Sequence, residues 1–528
     1  MTISKPSRTS RVVFLSGPPG AGKSSCAAAV AARWRGDGAD LDDLLHQSTG
    51  ESPAALIKTR GEAAFRIQEH AALQNLDPKW DVVALGGGTL TQKSARSQIR
   101  ARGVVVHLEC DAHTIADRLE RGRQEPDRPL LADGSVDAIR SLLDARQRTY
   151  ATADRTVDAT RSIADVAASI EEAVADIHLV RAEVGDMRSR VLVGARLQQS
   201  LLGAIAHLEP GRPIVVIQDE GIPDQVRRSW LAPLSALYPL IDIPGPGGEA
   251  MKSWSMLGEV LERALAGGAG RQSVVVGLGG GATCDLAGMT ASLLGRGAPL
   301  ILIPSTLLAQ VDASVGGKAA VNAAAGRNLI GAFHAADEVL IDPELLDSLS
   351  PEERRSGLAE LVKMAALFDA QLFDRVVSDG RTDATIIARA IELKADVVGR
   401  DPFEQNERRL LNFGHTLAHG IESASKYRWR HGDAVAVGMA AMLRWSAAEG
   451  WLAEQTKERI LSGFRALSLP VGAPFDLLKQ AVGFLGQDKK ADDANITIVT
   501  LSDLAQPIQR KMSVASVQQA MVQHGGEQ

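Results

Sequence analysis

The sequence predicts an α/β protein of more than one domain, and three observations carry that prediction. At 528 residues the chain exceeds what a single hydrophobic core accommodates, and its length fits roughly two to four domains. Short apolar, β-branched runs lead into Gly-rich turns and then into helical patterns at Arg11–Arg33 and again at Ser273–Gly288, the order of a parallel strand, loop and helix. Toward the C-terminus the pattern becomes helical, and His415 and His419 stand four residues apart, so both rings project from one helix face.

Composition narrows the class. Apolar residues make up 45% and charged residues 23%, ordinary values for a soluble globular enzyme. A net charge of −6 and a pI near 6.0 give no global reason to expect nucleic acid or a membrane surface as partner, so any anion site is local. Cys26, Cys110 and Cys284 are widely spaced and form no CxxC pair, which argues against a disulfide framework or a thiolate zinc site and predicts a cytoplasmic protein. The N-terminus lacks the apolar run of a secretory signal. The most apolar region, Val274 to Val311, is broken by Gly279, Gly280, Gly281, Asp285, Arg296 and Pro304 and cannot span a bilayer as a continuous apolar helix.

Taken in order, RVVFLS (Arg11–Ser16) is a strand, GPPGAGKSS is a phosphate-binding P-loop, and the Ala-rich segment from Cys26 is its helix. Gly17, Gly20 and Gly22 let backbone amides close around phosphate oxygens, Lys23 reaches the terminal phosphates, and Ser24, followed by Ser25, offers a hydroxyl to Mg²⁺. Pro18 and Pro19 each remove an amide donor from that cradle. The next connection, WRGDGADLDD, has glycines and lacks the apolar lead-in of a strand.

The residues that follow resemble the shikimate kinase family, over Arg11 to Arg161. Asp40-Leu41-Asp42 is similar to that family's acidic pair on the strand after the P-loop helix, FRIQE (Phe65–Glu69) to its F-R-x-x-E, ALGGGT (Ala84–Thr89) to its substrate loop, and DRPLL (Asp127–Leu131) to its lid. The resemblance implies ATP with Mg²⁺, and shikimate as phosphoryl acceptor. Asp42 would be the base, and Asp40 with Ser24 would support Mg²⁺. Arg66, Gly87, Gly88 and Arg146 would hold shikimate, and Arg128 would neutralise the transferring group. An arginine fork suits a carboxylate better than a lysine does.

Ser162 to Val184 has apolar residues near helical spacing and reads as the last helix of this unit, which closes at 180. The polar run 181–190 then reads as a short linker. PIVVIQ (Pro213–Gln218) opens a second αβ pattern with Asp219 at the strand's carboxyl end, where open α/β sheets bind ligands.

From Arg190 to about Ile508 the chain resembles the 3-dehydroquinate synthase family. That implies a Rossmann-like NAD-binding part over 191–345 and a helical metal- and substrate-binding part over 346–528. GEAMK gives Glu249 and Lys252, and GGGATCD gives Gly280, Gly281 and Asp285. With Asp219, Thr306, Lys318 and Arg327, these would be the NAD contacts. Arg296, Asp312, Lys318, Asn328, Lys363, Lys394, Arg408, Asn412, His419 and Lys489 or Lys490 would surround the substrate, Asp312, Lys318, Lys363, Lys394, Arg408, Asn412 and His419 acting in catalysis. The implied metal, zinc or cobalt, is held by Glu360, His415 and His431, leaving His419 facing substrate. Arg327 stands where the family has lysine, and Asp433 where glutamate is usual.

The implied substrate is 3-deoxy-D-arabino-heptulosonate 7-phosphate, cyclised with NAD as a tightly held catalyst and with loss of phosphate. A homodimer through this unit is also implied. Two other readings compete: a different kinase joined to a cyclase acting on another heptulose 7-phosphate, and a chain whose first third only senses nucleotide or shikimate.

Overall fold

In the computed structural model, residues 11–121, 135–206, 208, 211–324, 326–485 and 495–526 are described, and the chain forms two compact units. The first contains the chain up to Leu179 together with Arg196–Gly211 and Ser229–Tyr238. Its sheet has strands β1 (Val12–Ser16), β2 (Asp37–Asp40), β3 (Trp80–Ala84), β4 (Gly103–Glu109) and β5 (Arg155–Asp158), ordered β2-β3-β1-β4-β5. All of its pairings are parallel. Every residue of β1 is buried, as a central parallel strand covered on both faces requires.

The glycines before Asp40 turn out to permit β2. A Cβ on Gly38 would stand 2.9 Å from Ala31 Cβ and 3.0 Å from Ala27 O, so only glycine lets this strand pass beneath the helix Lys23–Trp34.

The second unit is built on β6 (His178–Val184), β7 (Met187–Val193), β8 (Ile214–Asp219), β9 (Leu240–Gly245), β10 (Val274–Gly279) and β11 (Leu300–Pro304). The hairpin β12 (Lys318–Ala323) and β13 (Gly326–Phe333) follows, and β14 (Glu338–Ile341) completes the large sheet. The order is β6-β7-β14-β11-β10-β8-β9, and β7 through β9 in that order run parallel. Helices follow from Pro351, and the hairpin β15 (Asn495–Asp503) and β16 (Gln506–Ser513) precedes the last helix. One continuous core runs from Val193, Val215 and Val275 in the sheet to Ala359, Leu417 and Val437 in the helices. The parts expected at 191–345 and 346–528 therefore share a compact unit. No helix among the described residues is long and apolar enough to cross a membrane.

Three boundaries differ from the sequence reading. The expected linker 181–190 is strand: β6 and β7 form a hairpin around Gly185-Asp186, with Gly185 at φ +60°. The helix expected over Ser162–Val184 stops at Val174, because HLVRAEV alternates buried and exposed residues over Val180–Val184 and satisfies a sheet edge. Residues 196–211 and 229–238, expected in the nucleotide-binding part, cluster with the first unit. There Arg96 and Arg100 donate to Ala206 O and Ser200 O, at 3.2 and 3.3 Å.

Candidate active sites

In the first unit, β1 delivers the chain into the P-loop, where Gly20 and Gly22 take φ of +85° and +89°, a left-handed region that favours glycine. Lys23 opens the following helix and folds its Nζ back onto the Gly17 and Pro18 carbonyls, 3.0 Å from each. Ser24 Oγ donates to Asp40 Oδ2, bringing together the two groups assigned to Mg²⁺. Asp40 ends β2 and its Oδ1 accepts from Asp42 N at 2.8 Å, capping the helix Leu41–Thr49. The acidic pair is thus split between strand end and helix start, because an aspartate at a helix N-cap satisfies an open amide. Burial first, then Asp40 and Glu69, push the Asp42 carboxyl up to about 6 against the pull of Lys23.

Two guanidinium groups converge on the Gly-rich loop. Arg66 lies over Gly88, where a Cβ would stand 2.6 Å from its Nη2, and Arg146 Nη1 donates to Gly87 O at 2.7 Å. Glu69, buried and passed over in the sequence reading, fixes both walls: it accepts from Arg66 Nη1 at 2.8 Å and from Thr89 Oγ1 at 2.5 Å. Its signal was present as the i+3 partner of Arg66 on one helix face. Pro19 packs its ring toward Gly87. Arg128 and the rest of DRPLL lie outside the described residues.

In the second unit, Asp219, Gly280, Gly281 and Thr306 of the NAD set stand at the carboxyl ends of β8, β10 and β11, whereas Glu249 and Lys252 follow β9, and Lys318 and Arg327 lie in the hairpin of β12 and β13. Asp219 ends β8, and a Cβ on Gly247 would meet its Oδ1 at 2.2 Å. Gly280, at the start of the helix Gly281–Leu293, faces Thr306 after β11, a Cβ there standing 3.2 Å from Thr306 Cγ2. Buried Lys252 donates to Asp285 Oδ2 and Asn328 Oδ1, 2.5 Å each, so a residue assigned to substrate shares a partner with the NAD set. Burial raises the Asp285 carboxyl while Lys252 opposes it. Arg327 reaches Glu249 and Glu422 at 2.5 and 3.1 Å. Arg296 is exposed in the turn after the helix and has no hydrogen bond or ion pair to the other assigned residues among those described.

Glu360, His415 and His431 offer ligand atoms that all lie within 4.8 Å of one another. Glu360 is fully buried near the middle of the helix Pro351–Phe368, and His415 and His431 open the helices His415–Ala424 and His431–Ala448. Glycines allow these helices to close in: a Cβ on Gly432 would stand 1.9 Å from Ser356 O, and one on Gly438 would stand 2.0 Å from Gly414 O.

Both imidazoles turn Nε2 toward Glu360 Oε1, His431 at 3.4 Å and His415 at 3.7 Å. Neither Glu360 oxygen has a well-formed hydrogen bond, although Lys363 Nζ lies against Oε2 as an ion pair. A buried carboxylate left in that state beside two imidazole nitrogens fits a metal ion. Burial would raise Glu360, but Lys363 and then the two rings hold it well below the usual carboxylate range. His419 packs edge-on to His415, ring centres 5.6 Å apart, and is not part of the cluster.

Beside the cluster, Lys363, Lys394 and Arg408 are all buried. Lys394 donates to Asp312 Oδ1 at 2.6 Å, and Arg408 donates to Gly316 O at 2.9 Å. Burial lowers the pKa of Lys394 against the pull of Asp312, and that of Arg408 against the pull of Glu404 and Asp312. Glu404, absent from the sequence reading, accepts from Lys318 Nζ and from Asn412 Nδ2. Its φ of +57° marks a non-glycine residue held in an uncommon conformation. Asp433 forms a two-pronged pair with Arg355, 2.9 Å on each side, and so points its carboxylate at a guanidinium rather than at the Glu-His-His cluster. Lys489 and Lys490 lie outside the described residues.

A P-loop with converging arginines in one unit, and in the other a dinucleotide-type sheet beside a Glu-His-His cluster and buried cations, define a two-enzyme chain with one phosphate-handling site and one nucleotide- and metal-handling site. Family models agree. Residues 19–176 match shikimate kinase, 242–356 match the 3-dehydroquinate synthase N-terminal model, and 357–491 match its C-terminal model. The chain belongs to the 3-dehydroquinate synthase family and carries a shikimate kinase domain before it, both enzymes of the shikimate pathway.

Among curated relatives, the 3-dehydroquinate synthase of Paracoccus denitrificans (strain Pd 1222) is 36% identical over 340 residues, 61% of this chain and 92% of the relative. That of Streptomyces avermitilis is 36% identical over 348 residues, 64% of this chain and 94% of the relative. Among solved structures, the 2-epi-5-epi-valiolone synthase of Streptomyces hygroscopicus subsp. jinggangensis 5008, with NAD⁺ and Zn²⁺ bound, superposes with a TM-score of 0.58 at 26% identity, covering 65% of this chain and 98% of that one.

Proposed function

We propose that the first unit phosphorylates shikimate from ATP with Mg²⁺ on Ser24 and Asp40. Asp42 takes the proton of the attacking hydroxyl, Arg66 and Arg146 hold the carboxylate, and Lys23, with Gly17, Gly20, Gly22 and Ser25, holds the phosphates. Phosphoryl transfer depends on positioning and charge stabilisation, and the convergence of Arg66 and Arg146 on Gly87–Gly88 supports this reading. Shikimate-dependent ADP formation that disappears in Lys23→Ala is the expected result. Nucleotide binding without turnover in the unaltered chain would favour a sensor instead.

The second unit, on this reading, cyclises 3-deoxy-D-arabino-heptulosonate 7-phosphate to 3-dehydroquinate with loss of phosphate. The single observation that carries it is the buried carboxylate of Glu360, ion-paired by Lys363 and flanked by His415 and His431, with Lys394 and Arg408 alongside. Glu360, His415 and His431 would hold zinc or cobalt, and Asp219, Glu249, Lys252, Gly280, Gly281, Asp285 and Thr306 would hold NAD. Bound there, the metal supplies Lewis acidity and the nicotinamide reversible hydride acceptance.

The chain's own groups do the rest. Lys363, Lys394 and Arg408 neutralise the phosphate and carboxylate of the substrate, while Asn412 and His419 orient its hydroxyls. Glu404, kept ionised by Lys318 and Asn412 against its burial, holds those two side chains in place beside the substrate. Phosphate release from 3-deoxy-D-arabino-heptulosonate 7-phosphate, and none from a heptulose 7-phosphate retaining the 3-hydroxyl, is the deciding assay. We also place the chain in the cytoplasm, in keeping with the free, buried Cys26, Cys110 and Cys284. A homodimer through the second unit completes the proposal and is testable by light scattering.

A further inference from the structure

His431 is held at both ring nitrogens. Its Nε2 faces Glu360 at 3.4 Å, and its Nδ1 lies 3.4 Å from Oε2 of Glu422, a buried residue of the neighbouring helix His415–Ala424. A carboxylate that accepts from Nδ1–H fixes the tautomer whose Nε2 lone pair is free for a metal. For His415 the corresponding acceptor is a backbone oxygen, Phe413 O, at 3.3 Å from Nδ1.

The second oxygen of Glu422 is also engaged. Arg327 Nη1 donates to Oε1 at 3.1 Å, its Nη2 lies 2.5 Å from Glu249 Oε2, and its guanidinium sits 4.0 Å over the Tyr427 ring. One planar group thus ties the turn Gly248–Lys252 to the carboxylate behind the metal ligand. A lysine has a single nitrogen and cannot meet two carboxylates from separate edges while stacking on an aromatic face.

We propose that Glu422 is a positioning residue for the metal ligand His431, and that Arg327 holds Glu422 in place from the nucleotide side. The inference rests on the metal reading given above and extends it: Arg327, assigned only to NAD from the sequence, also serves the metal.

The test is Zn²⁺ and Co²⁺ titration of the metal-stripped full-length chain, by chelator competition and by the visible absorption of bound cobalt. Glu422→Ala is expected to weaken metal binding about 10- to 100-fold and to shift the cobalt spectrum. Glu422→Gln, whose amide oxygen still accepts from Nδ1–H, is expected to recover most of both. Arg327→Ala should weaken binding less than Glu422→Ala, and the double variant should be no worse than Glu422→Ala alone, as groups acting in series are not additive. Wild-type affinity and spectrum in Glu422→Ala would overturn the role of Glu422, and an additive double variant would overturn that of Arg327. Failure of the metal reading itself looks different: the unaltered chain would bind no metal, or His415→Ala would bind it normally.

Discussion

Asn412 donates its side-chain amide to Glu404 across 2.6 Å, which ties a residue assigned to substrate to a carboxylate that sequence reading had passed over. Lys318 reaches the same carboxylate. If Glu404 holds Lys318 and Asn412 in place for the substrate, Glu404→Gln should lower synthase kcat/KM by about 10- to 100-fold. Bound metal and shikimate kinase turnover should be unchanged. Steady-state rates with metal analysis on one preparation check this.

The metal assignment separates three histidines. His415→Ala and Glu360→Ala are expected to lose metal and synthase activity together, while His419→Ala keeps its metal and loses rate. Metal loss in His419→Ala with retention in His431→Ala would overturn the assignment.

Arg66 is locked by Glu69 at 2.8 Å with its guanidinium over Gly88. Arg66→Lys removes the fork, and a charge-assisted hydrogen bond contributes about 1.5–3 kcal/mol, so shikimate KM should rise roughly 10- to 100-fold. The KM for ATP should stay near its original value.

Asp401 shapes the loop that presents Glu404 and Arg408, accepting amide hydrogens from Gln405, Asn406 and Arg408 at 2.9, 2.7 and 3.0 Å. Burial raises its carboxyl, but those three amides bring it below the ordinary value. A depressed folded-state pKa means the loop's stabilisation is complete above about pH 4, the unfolded value, and is lost as pH falls through the folded one. Near neutral pH, Asp401→Asn turns one acceptor into a donor facing an amide. Displacement of the loop should then cost synthase kcat/KM about 10- to 100-fold, with kinase activity unaffected.

Gly432 lets the helix carrying His431 approach Ser356, four residues before Glu360. Gly432→Ala forces the two helices apart, an overpacking cost of about 1–3 kcal/mol. Calorimetry should show a lower Tm for the synthase transition, and metal analysis a reduced zinc content.

Much of this molecule was legible in the sequence because its signals are local. The P-loop is a contiguous run whose glycines and lysine act within one strand-turn-helix, and β1 and β10 announce themselves as apolar runs. The i,i+4 spacing of His415 and His419 fixed that both rings share a helix face, and their ring centres stand 5.6 Å apart. The two-enzyme division followed from residues that occur in order along the chain.

What the tertiary structure decided lies in contacts between segments far apart in sequence. Residues 181–190 looked like a linker because their charged residues mask the short alternation of Ala182 and Val184, and only pairing in the sheet makes them parts of β6 and β7. WRGDGADLDD lacks the apolar lead-in of a strand, and the need for glycine at Gly38 is visible only in the helix that packs on it. Glu404, Glu422 and Glu69 are single carboxylates with no motif of their own, and they became meaningful through Asn412, His431 and Thr89. Sequence spacing specifies which face a side chain shares with its near neighbours. Which distant group it meets there is set by how helices and strands pack, and that packing brings His415 and His431, rather than His415 and His419, to the buried carboxylate of Glu360.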